Sequence, residues 1–465
     1  MNYETLFKAA GEKTVRAAIV GAGEFGTSFI FQAMRVPGLE VPAICNRTVQ
    51  KGVAAYINAG IDESDIRICE SEPEVKKAFD SGKCIVVADG LLLMNLPLDI
   101  LVEGTGNPEV GALYGDAAIK NGMHVAMVSK ETDSVAGPML YEKARKNGLI
   151  YTAVEGDQPS LLIGLITWGR VLGLNIICAG KSSEYDFVYD PDAKTVSSLD
   201  KKISVPGFDD LWSMNDRTAA EMLIKRSELL SALPQHAVPD LNEMGIVCNA
   251  TGMKPSCRAF HAPVARTVEV PEFFTTKEQG GILDRAGVVD VVNNLRRPDD
   301  ASMGGGVFII VECEDQATWK VLEAKGHPTN RIGSCAMVYH PAHLLGVEAP
   351  ISVLAAVLLN HATGGETLKP ICDLAGCTTK DLRAGRTLRS EGHHHVIDGV
   401  DGILLDAFKA QGDNPVPFYL LDNAVLTQDV PAGTTLTCNM VRFSEDSVLR
   451  RLRAEQDRYF DKLLS

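Results

Sequence analysis

The sequence of 465 residues lacks a long apolar run, a CxxC cysteine pair and an excess of positive charge. The longest apolar run, residues 351–359, is far shorter than the roughly 20 residues that span a membrane. The first 13 residues, MNYETLFKAAGEK, contain no apolar segment, so we expect no signal peptide and no membrane partner. A net charge of −15 argues against a nucleic-acid partner, because such proteins need basic surfaces.

The 11 cysteines are an odd number, and most lie in apolar segments, as Cys84, Cys178 and Cys248 do. This usage is typical of reduced core thiols and predicts a cytoplasmic protein. The sequence has no internal repeat, and its nearest approach to low complexity is the triplet His393-His394-His395. We interpret the triplet as a solvated turn rather than a metal site.

The most informative segment is TVRAAIVGAGEFGT, residues 14–27. A short apolar run precedes Gly21, Gly23 and Gly26, and a helix-like run follows them. In a dinucleotide site, the three glycines permit the tight turn, the approach of the pyrophosphate and close helix packing. The helix start then offers free N–H groups to phosphates. We therefore predict a nucleotide site that also includes Glu24 and Phe25; the alternative is a glycine-rich turn without a ligand.

The end of the second predicted strand, LEVPAIC, indicates which nucleotide binds. An NAD site usually carries Asp or Glu here, to bind the ribose 2′-hydroxyl. This chain carries Asn46 and Arg47 instead. A guanidinium binds a 2′-phosphate with two parallel donors, whereas a carboxylate repels it. The sequence therefore favours NADP, unless Arg47 is only a solvated cation of the loop.

The order of patterns predicts an α/β chain of three domains. Residues 1–154 alternate strands and helices, which predicts an N-terminal Rossmann domain with a doubly wound parallel sheet. Residues 155–362 predict an α+β catalytic domain, with a helix that returns to the first domain. Residues 363–465 predict a small, mostly β domain with a charged terminal helix.

The segment VEGTGNPEVGALYGDAAIKNGMHVAMVSK resembles the homoserine dehydrogenase superfamily. The resemblance implies that the turn of Gly104, Thr105 and Gly106 and the strand end at Lys130 lie beside the nicotinamide. The chain lacks the DxxGxDxxxK pattern of the homoserine-binding helix, which weakens homoserine as a substrate.

Three further segments are similar to the DXR-like (DRL) enzymes, which are built on the homoserine dehydrogenase fold. The segments are GKSSEYD, CNATG and YHPAHLLGVE, and the later VLTQDVPAGTTLTCNMV resembles an SAF (β-clip) module. The resemblance implies an NADPH-dependent reductoisomerase that converts 1-deoxy-D-xylulose 5-phosphate to 2-C-methyl-D-erythritol 4-phosphate, for isoprenoid precursors. We also expect a homodimer or a larger homo-oligomer.

This reaction needs a clamp for phosphate, polarisation of a ketone and proton transfer. Lysines at strand ends can bind a phosphate or a developing oxyanion, and carboxylates can hold a divalent metal, Mg²⁺ or Mn²⁺. Alternatively, the carboxylates cap turns or pair with Lys181. The candidate catalytic residues are Lys130, Lys181, Glu155, Asp157, Glu184, Asp186, Arg258 and His343, with His261 and Glu348 as further candidates.

Three functions stay open at this point. The first is the reductoisomerase with a small phosphorylated substrate. The second is a simple NADP-dependent dehydrogenase of homoserine or a sugar acid. The third is a non-catalytic NADP-binding sensor, against which the charged strand ends argue.

Overall fold

The computed structural model describes residues 2–11, 13–392 and 395–464 of the chain. His393 and His394 of the predicted histidine turn therefore lie outside the described residues. No helix in the described part of the chain combines the length and apolarity needed to cross a membrane.

A parallel sheet with connecting helices forms the N-terminal part. Its strands are β1 (Val15–Val20), β2 (Leu39–Cys45), β3 (Ile66–Ile68), β4 (Cys84–Val87), β5 (Ile100–Glu103), β6 (His124–Met127) and β7 (Tyr151–Ala153). Its helices are α1 (Tyr3–Ala9), α2 (Glu24–Ala33), α3 (Val49–Asn58), α4 (Glu72–Asp80), α5 (Pro108–Lys120) and α6 (Lys130–Lys146). The strands follow the spatial order β3-β4-β2-β1-β5-β6-β7, and every pair is parallel. The predicted parallel α/β sheet is confirmed.

The central strands end at a common edge of this sheet. Val20 of β1 pairs with Glu103 of β5, which pairs with Met127 of β6. The glycine turn after β1 and Lys130 at the start of α6 therefore lie at the same edge of the sheet, with the end of β5 between them. Ligands of such sheets bind at this carboxyl edge.

A mixed sheet with covering helices follows. Its strands are β8 (Ile176–Asp190), β9 (Thr195–Ser198), β10 (Lys201–Ser204), β11 (Lys254–Pro255), β12 (Val264–Ala265), β13 (Val288–Arg296), β14 (Val307–Glu312) and β15 (Cys335–His340). The helices are α7 (Gln158–Val171), α8 (Asp209–Trp212), α9 (Ala219–Leu229), α10 (Val238–Thr251), α11 (Val270–Phe273), α12 (Gln316–Ala324) and α13 (Ala349–Leu358). Strand β8 pairs in parallel with β13 and antiparallel with β14. Helix α13 packs back on β1 and α2.

The C-terminal part is a small β region and a helix. Its elements are β16 (Cys372–Thr378), β17 (Ser390–Glu391), β18 (Val396–Ile397), β19 (Val400–Asp406), β20 (Val425–Leu426), β21 (Val441–Arg442) and α14 (Val448–Tyr459). Four strands form the sheet β16-β19-β18-β17 within the described residues, and β20 pairs with β21. Helix α14 returns to α6, where the buried Arg453 bridges to Asp373 of β16.

Helix α10 lies where the three parts meet. It packs against α7, against α6, and against β16 and β19. Its buried residues include Asp240, Asn242 and Glu243 as well as apolar side chains. Because buried polar groups need partners, the surroundings of α10 must supply charges and hydrogen bonds.

Two strand-like runs of the sequence take a different form in the structure. The apolar run of residues 175–180 continues as part of β8 to Asp190, through the more polar segment KSSEYDFVYD. From Ser183 to Asp190 every second residue is buried, as a strand with one buried face requires. The apolar run of residues 418–421 forms a 3₁₀ turn, Phe418–Leu420. Periodicity cannot assign so short an apolar run.

Candidate functional site

The glycine turn after β1 has the geometry of a phosphate-binding turn. Gly21 has a φ of +100°, and a Cβ there would lie 2.5 Å from the carbonyl oxygen of Gly104. A Cβ on Gly26 would overlap the carbonyl oxygen of Gly21. Around Gly23, by contrast, nothing lies within 4 Å of a Cβ position. The turn is therefore packed on two sides and open at Gly23, where Glu24 and Phe25 begin α2. Its N–H groups can receive phosphates there.

The residues after β2 divide into a structural and an exposed part. Asn46 accepts a hydrogen bond from the N–H of Ala22 at 2.9 Å and donates one to the carbonyl of Thr48 at 2.8 Å. Asn46 therefore fixes the glycine turn. Arg47 is exposed, and no described residue forms an ion pair or hydrogen bond with its side chain. A phosphate group can reach it.

The turn after β5 is held by a buried carboxylate. Glu103 is completely buried, and its Oε1 accepts hydrogen bonds from the N–H of Thr105 at 3.1 Å and from its hydroxyl at 2.6 Å. The N–H of Gly106 donates to Ser129 Oγ at 2.8 Å. Burial raises the pKa of Glu103 to about 7, although these hydrogen bonds act in the opposite direction. The predicted turn of residues 104–106 is thus rigidly placed beside the glycine turn.

Two lysines and three carboxylates form one connected group, here called the lysine–carboxylate network. It consists of Lys130, Asp157, Lys181, Asp240 and Glu243. Lys130 Nζ lies 2.6 Å from Glu243 Oε1 and 3.2 Å from Asp157 Oδ1. Lys181 Nζ bonds to Glu243 Oε2 and lies 2.8 Å from Asp240 Oδ1. The network therefore joins the edge of the parallel sheet to β8 and α10.

The two lysines differ in access to solvent. The side chain of Lys130 is 27% exposed, while that of Lys181 is 1% exposed. Burial alone would raise the pKa of Glu243, but the two ammonium groups lower it to about 2. Burial likewise opposes the charge of Lys181, but Asp240 and Glu243 raise its pKa. Glu243 and Lys181 are therefore held in their charged forms, and Lys130 is the more exposed of the two lysines.

The sequence predicted Lys130, Asp157 and Lys181 but missed Asp240 and Glu243. These two follow each other at i and i+3 in VPDLNEMGIV, so they lie on one face of α10. The available signal was a pair of acids inside an otherwise apolar helix.

The other predicted carboxylates lie apart from the network. Burial, together with the neighbouring carboxylate of Glu348, raises the pKa of Glu155 to about 7. Asp186 accepts hydrogen bonds from Asn294 at 2.9 Å and Arg296 at 2.7 Å. Asp186 and Glu184 occupy alternate positions to Lys181 and Ser183 on β8, so they face the other side of the sheet.

The predicted carboxylates therefore do not converge on a metal. Among the residues that the structure describes, no group of three or more His, Cys, Asp or Glu side chains could hold a metal ion. The residues present do not fit the divalent metal that the sequence left open, and we derive no step through one.

The remaining candidates also have places outside the network. Arg258 is exposed. His261 Nδ1 lies 2.7 Å from Asp290 Oδ2; burial lowers the pKa of His261, but this bond to Asp290 raises it to about 10. His343 Nδ1 lies 2.6 Å from the carbonyl oxygen of Gly305. The His261 contact joins the loop before β12 to β13, and the His343 contact joins the loop before β14 to the loop after β15.

Comparison with protein families places a catalytic domain over part of this site. Residues 234–349 match the family model of the oxidoreductase DRL catalytic domain, which is well under half of the chain. The match identifies this segment as similar to the catalytic domain of an oxidoreductase. The matched segment contains α10, and so contributes Asp240 and Glu243 to the network, while Lys130 and Lys181 lie before it. No curated protein sequence matches the chain significantly.

Solved structures similar to the chain include three proteins of low sequence identity. The yvaA protein of Bacillus subtilis is 14% identical, with a TM-score of 0.34, over 76% of this chain and 91% of that one. Myo-inositol dehydrogenase of Lactobacillus casei is 12% identical, with a TM-score of 0.27, over 38% and 47% of the chains.

The 1-deoxy-D-xylulose 5-phosphate reductoisomerase of Zymomonas mobilis is 18% identical, with a TM-score of 0.28, over 37% of this chain and 46% of that one. The chain thus spans about half the length of the last two proteins. TM-scores this low support no inference about the reaction.

Proposed function

We propose that the protein transfers a hydride between NADP(H) and the carbonyl or hydroxyl carbon of a small substrate, with Lys130 as the proton donor or acceptor. The observation that carries this proposal is the position of Lys130. Lys130 begins α6 at the carboxyl edge of the sheet that also carries the glycine turn, and its ammonium is held by Glu243 at 2.6 Å.

The residues can perform both halves of such a reaction. When bound, the reduced nicotinamide supplies a hydride to the carbonyl carbon. Negative charge then develops on the carbonyl oxygen, and a preorganised ammonium stabilises that charge. Lys130 donates its proton to this oxygen as the alcohol forms, and Glu243 keeps the amine in place. In the oxidative direction the same proton returns to Lys130.

Lys181 supports this chemistry from a buried position. Without it, Glu243 would keep only the ammonium of Lys130, and Asp240 would lose its ion pair. Because buried carboxylates without counter-ions take up protons, Lys181 keeps Glu243 ionised. An ionised Glu243 in turn favours the charged, proton-donating form of Lys130.

We also propose NADP as the preferred coenzyme, through Arg47. The support is its exposed guanidinium at the ribose position and the lack of an acidic residue beside it. Arg47→Ala should raise the Michaelis constant for NADPH much more than that for NADH. Equal effects on both coenzymes would show that Arg47 does not bind the 2′-phosphate.

The more specific reaction that we propose is that of the DRL enzymes, the reductive isomerisation of 1-deoxy-D-xylulose 5-phosphate. The resemblance of the sequence and the match over residues 234–349 support it. This reaction would use a phosphorylated substrate, and the exposed Arg258 is then a candidate contact for the phosphate. The SAF-like character of residues 363–465 and a homo-oligomeric state stay predictions.

One observation favours the alternative, a simple dehydrogenase of an unphosphorylated hydroxy compound. Lys130 and Lys181, the two lysines expected to bind phosphate, are both already bound by carboxylates. A site whose lysines are neutralised has less attraction for a phosphate dianion.

A single assay series separates the two reactions. NADPH oxidation is followed with 1-deoxy-D-xylulose 5-phosphate, with and without added Mg²⁺ or Mn²⁺, and NADP⁺ reduction is followed with homoserine and a panel of sugar acids. Turnover of the phosphorylated ketose alone supports the reductoisomerase. Turnover of the unphosphorylated compounds alone supports the dehydrogenase. NADP binding without turnover of any compound would leave the non-catalytic sensor.

The eleven cysteines are free thiols in the structure, seven of them buried. This supports our proposal that the protein works in a reducing compartment such as the cytoplasm.

A further inference from the structure

Two side chains of the C-terminal part contact the helices that carry the lysine–carboxylate network. His395 Nε2 lies 3.2 Å from Oε1 of Glu131, the residue that follows Lys130 on α6. The hydroxyl of Tyr419 accepts a hydrogen bond at 3.1 Å from Nδ2 of Asn242, the residue before Glu243 on α10. The two contacts thus reach the immediate chain neighbours of Lys130 and Glu243.

The two side chains also support each other. Their rings meet edge to face, with centroids 5.5 Å apart. His395 Nδ1 lies 3.1 Å from Ser390 Oγ, so both ring nitrogens of His395 have a partner. Tyr419 is almost completely buried. Both side chains therefore make contacts that hold other groups in place.

The backbone of His395 is consistent with such a role. Its φ is +50°, a conformation that non-glycine residues rarely adopt. Strained positions of this kind persist where the surroundings determine them, and they concentrate at functional sites. Its imidazole contacts both α6, through Glu131, and β17 of its own small sheet, through Ser390.

We propose that the C-terminal part completes the catalytic site, with His395 and Tyr419 as positioning residues for Lys130 and Glu243. This inference rests on the proposed function of Lys130. The C-terminal part holds the first turn of α6 through Glu131 and the second turn of α10 through Asn242. Through these two contacts it fixes the distance between Lys130 and Glu243.

The charges at the contact fit this role. Glu131 adds a negative charge directly beside a network that already has three carboxylates and two ammonium groups. Burial disfavours the charged imidazole, but the hydrogen bond to Glu131 raises the pKa of His395. The positive charge of His395 offsets the negative charge of Glu131. The electrostatic potential at Lys130 therefore stays close to the value that the residues of the lysine–carboxylate network set.

The test compares three variants of the full-length protein. Tyr419→Phe removes the hydroxyl that binds Asn242 and keeps the ring. His395→Ala removes the bond to Glu131, and His395→Gln restores a neutral N–H donor at the same place. Thr378→Val is the matched control, because it also removes one buried hydroxyl from the C-terminal part, where Thr378 Oγ1 bonds to the carbonyl of Pro431.

Hydrogen exchange of the coenzyme-free proteins is measured first, since it needs no activity. We expect faster exchange around Glu131 in α6 and around Asn242 in α10 for Tyr419→Phe and His395→Ala, and no change there for Thr378→Val. With a substrate that the wild type turns over, kcat should fall roughly tenfold in these two variants, as for loss of one hydrogen bond to a charged or buried group. The dissociation constant for NADPH should stay unchanged, and His395→Gln should recover part of kcat.

Wild-type exchange and wild-type kcat in both site variants would overturn the inference. An equal decrease in kcat and an equal increase in exchange in all variants, the control included, would also overturn it. Such a result would indicate a general loosening of the C-terminal part. If the wild type turns over no substrate, the proposed function fails, but the exchange data still decide whether the C-terminal part holds α6 and α10.

Discussion

Lys130 Nζ lies 2.6 Å from Glu243 Oε1, although the two residues are separated by 113 positions in the chain. Lys130 begins α6, at the edge of the parallel sheet that carries the glycine turn. Glu243 lies in the segment that matches an oxidoreductase catalytic domain. The contact joins the predicted coenzyme site to that domain. It makes Lys130 the group on which the proposed chemistry depends.

Replacement of this lysine should abolish proton transfer and leave coenzyme binding intact. For Lys130→Met we expect kcat to fall by about 10²–10⁴-fold, the usual contribution of a positioned acid or base. The dissociation constant for NADPH should change little, because the glycine turn does not use Lys130. Steady-state kinetics and a fluorescence titration of the same preparation measure both quantities. A variant that keeps wild-type kcat would remove Lys130 from the mechanism.

Replacement of the buried lysine should affect stability as well as activity. Lys181→Met leaves the carboxylates of Asp240 and Glu243 buried without this counter-ion, and breaking a buried pair costs about 3–5 kcal/mol of unfolding free energy. The thermal midpoint should therefore fall clearly.

The double variant Lys181→Met/Glu243→Gln provides the control. It removes one of the uncompensated charges, so its thermal midpoint should lie between those of the single variant and the wild type. Its turnover should stay as low as that of the single variant. If the single and double variants melt together, the buried charges are not the cause of the loss.

Substitution by alanine should affect coenzyme binding at one glycine of the turn and stability at another. A Cβ on Gly23 meets open space, so Gly23→Ala should melt like the wild type but bind NADPH weakly, because the methyl group blocks the pyrophosphate. A Cβ on Gly26 overlaps the carbonyl of Gly21, so Gly26→Ala should lower the thermal midpoint. Calorimetric titration and thermal melts separate the two. Full NADPH affinity in Gly23→Ala would show that no phosphate approaches this turn.

The buried Glu103 should make stability depend on pH. Its pKa is raised to about 7, above the roughly 4.3 of an unfolded glutamate. Between these values the folded protein binds more protons, so the free energy of unfolding falls as pH rises through this window. Glu103→Gln should flatten that fall, and Glu155→Gln, at a second carboxyl with a pKa of about 7, should flatten it independently. Thermal midpoints from about pH 5 to 8 test this; parallel curves for wild type and Glu103→Gln would contradict it.

The parallel sheet could be predicted from the sequence because its signals are local. Apolar runs alternate with helical segments, and the glycines follow β1 directly. Lys130 and Lys181 were predicted for the same reason, since each stands at or near the end of a recognisable strand-like run. The partners of these lysines depend on the packing of α10 between three parts of the chain, which no local pattern shows.

The predicted set of carboxylates was incomplete for a geometric reason. Glu184 and Asp186 are close to Lys181 in sequence, but strand alternation places them on the opposite face of β8. Glu155 and Asp157 are separated by Gly156, whose φ is +87°, and their side chains reach different partners. Proximity in sequence therefore predicted a cluster that the backbone divides.

A crystal structure of the protein with NADPH bound would test the central claim most directly. We predict the pyrophosphate at the N–H groups that begin α2, the 2′-phosphate at Arg47, and the reactive C4 of the nicotinamide facing the space beside Lys130 Nζ. Coenzyme bound elsewhere, or a nicotinamide directed away from Lys130 and Glu243, would contradict the account.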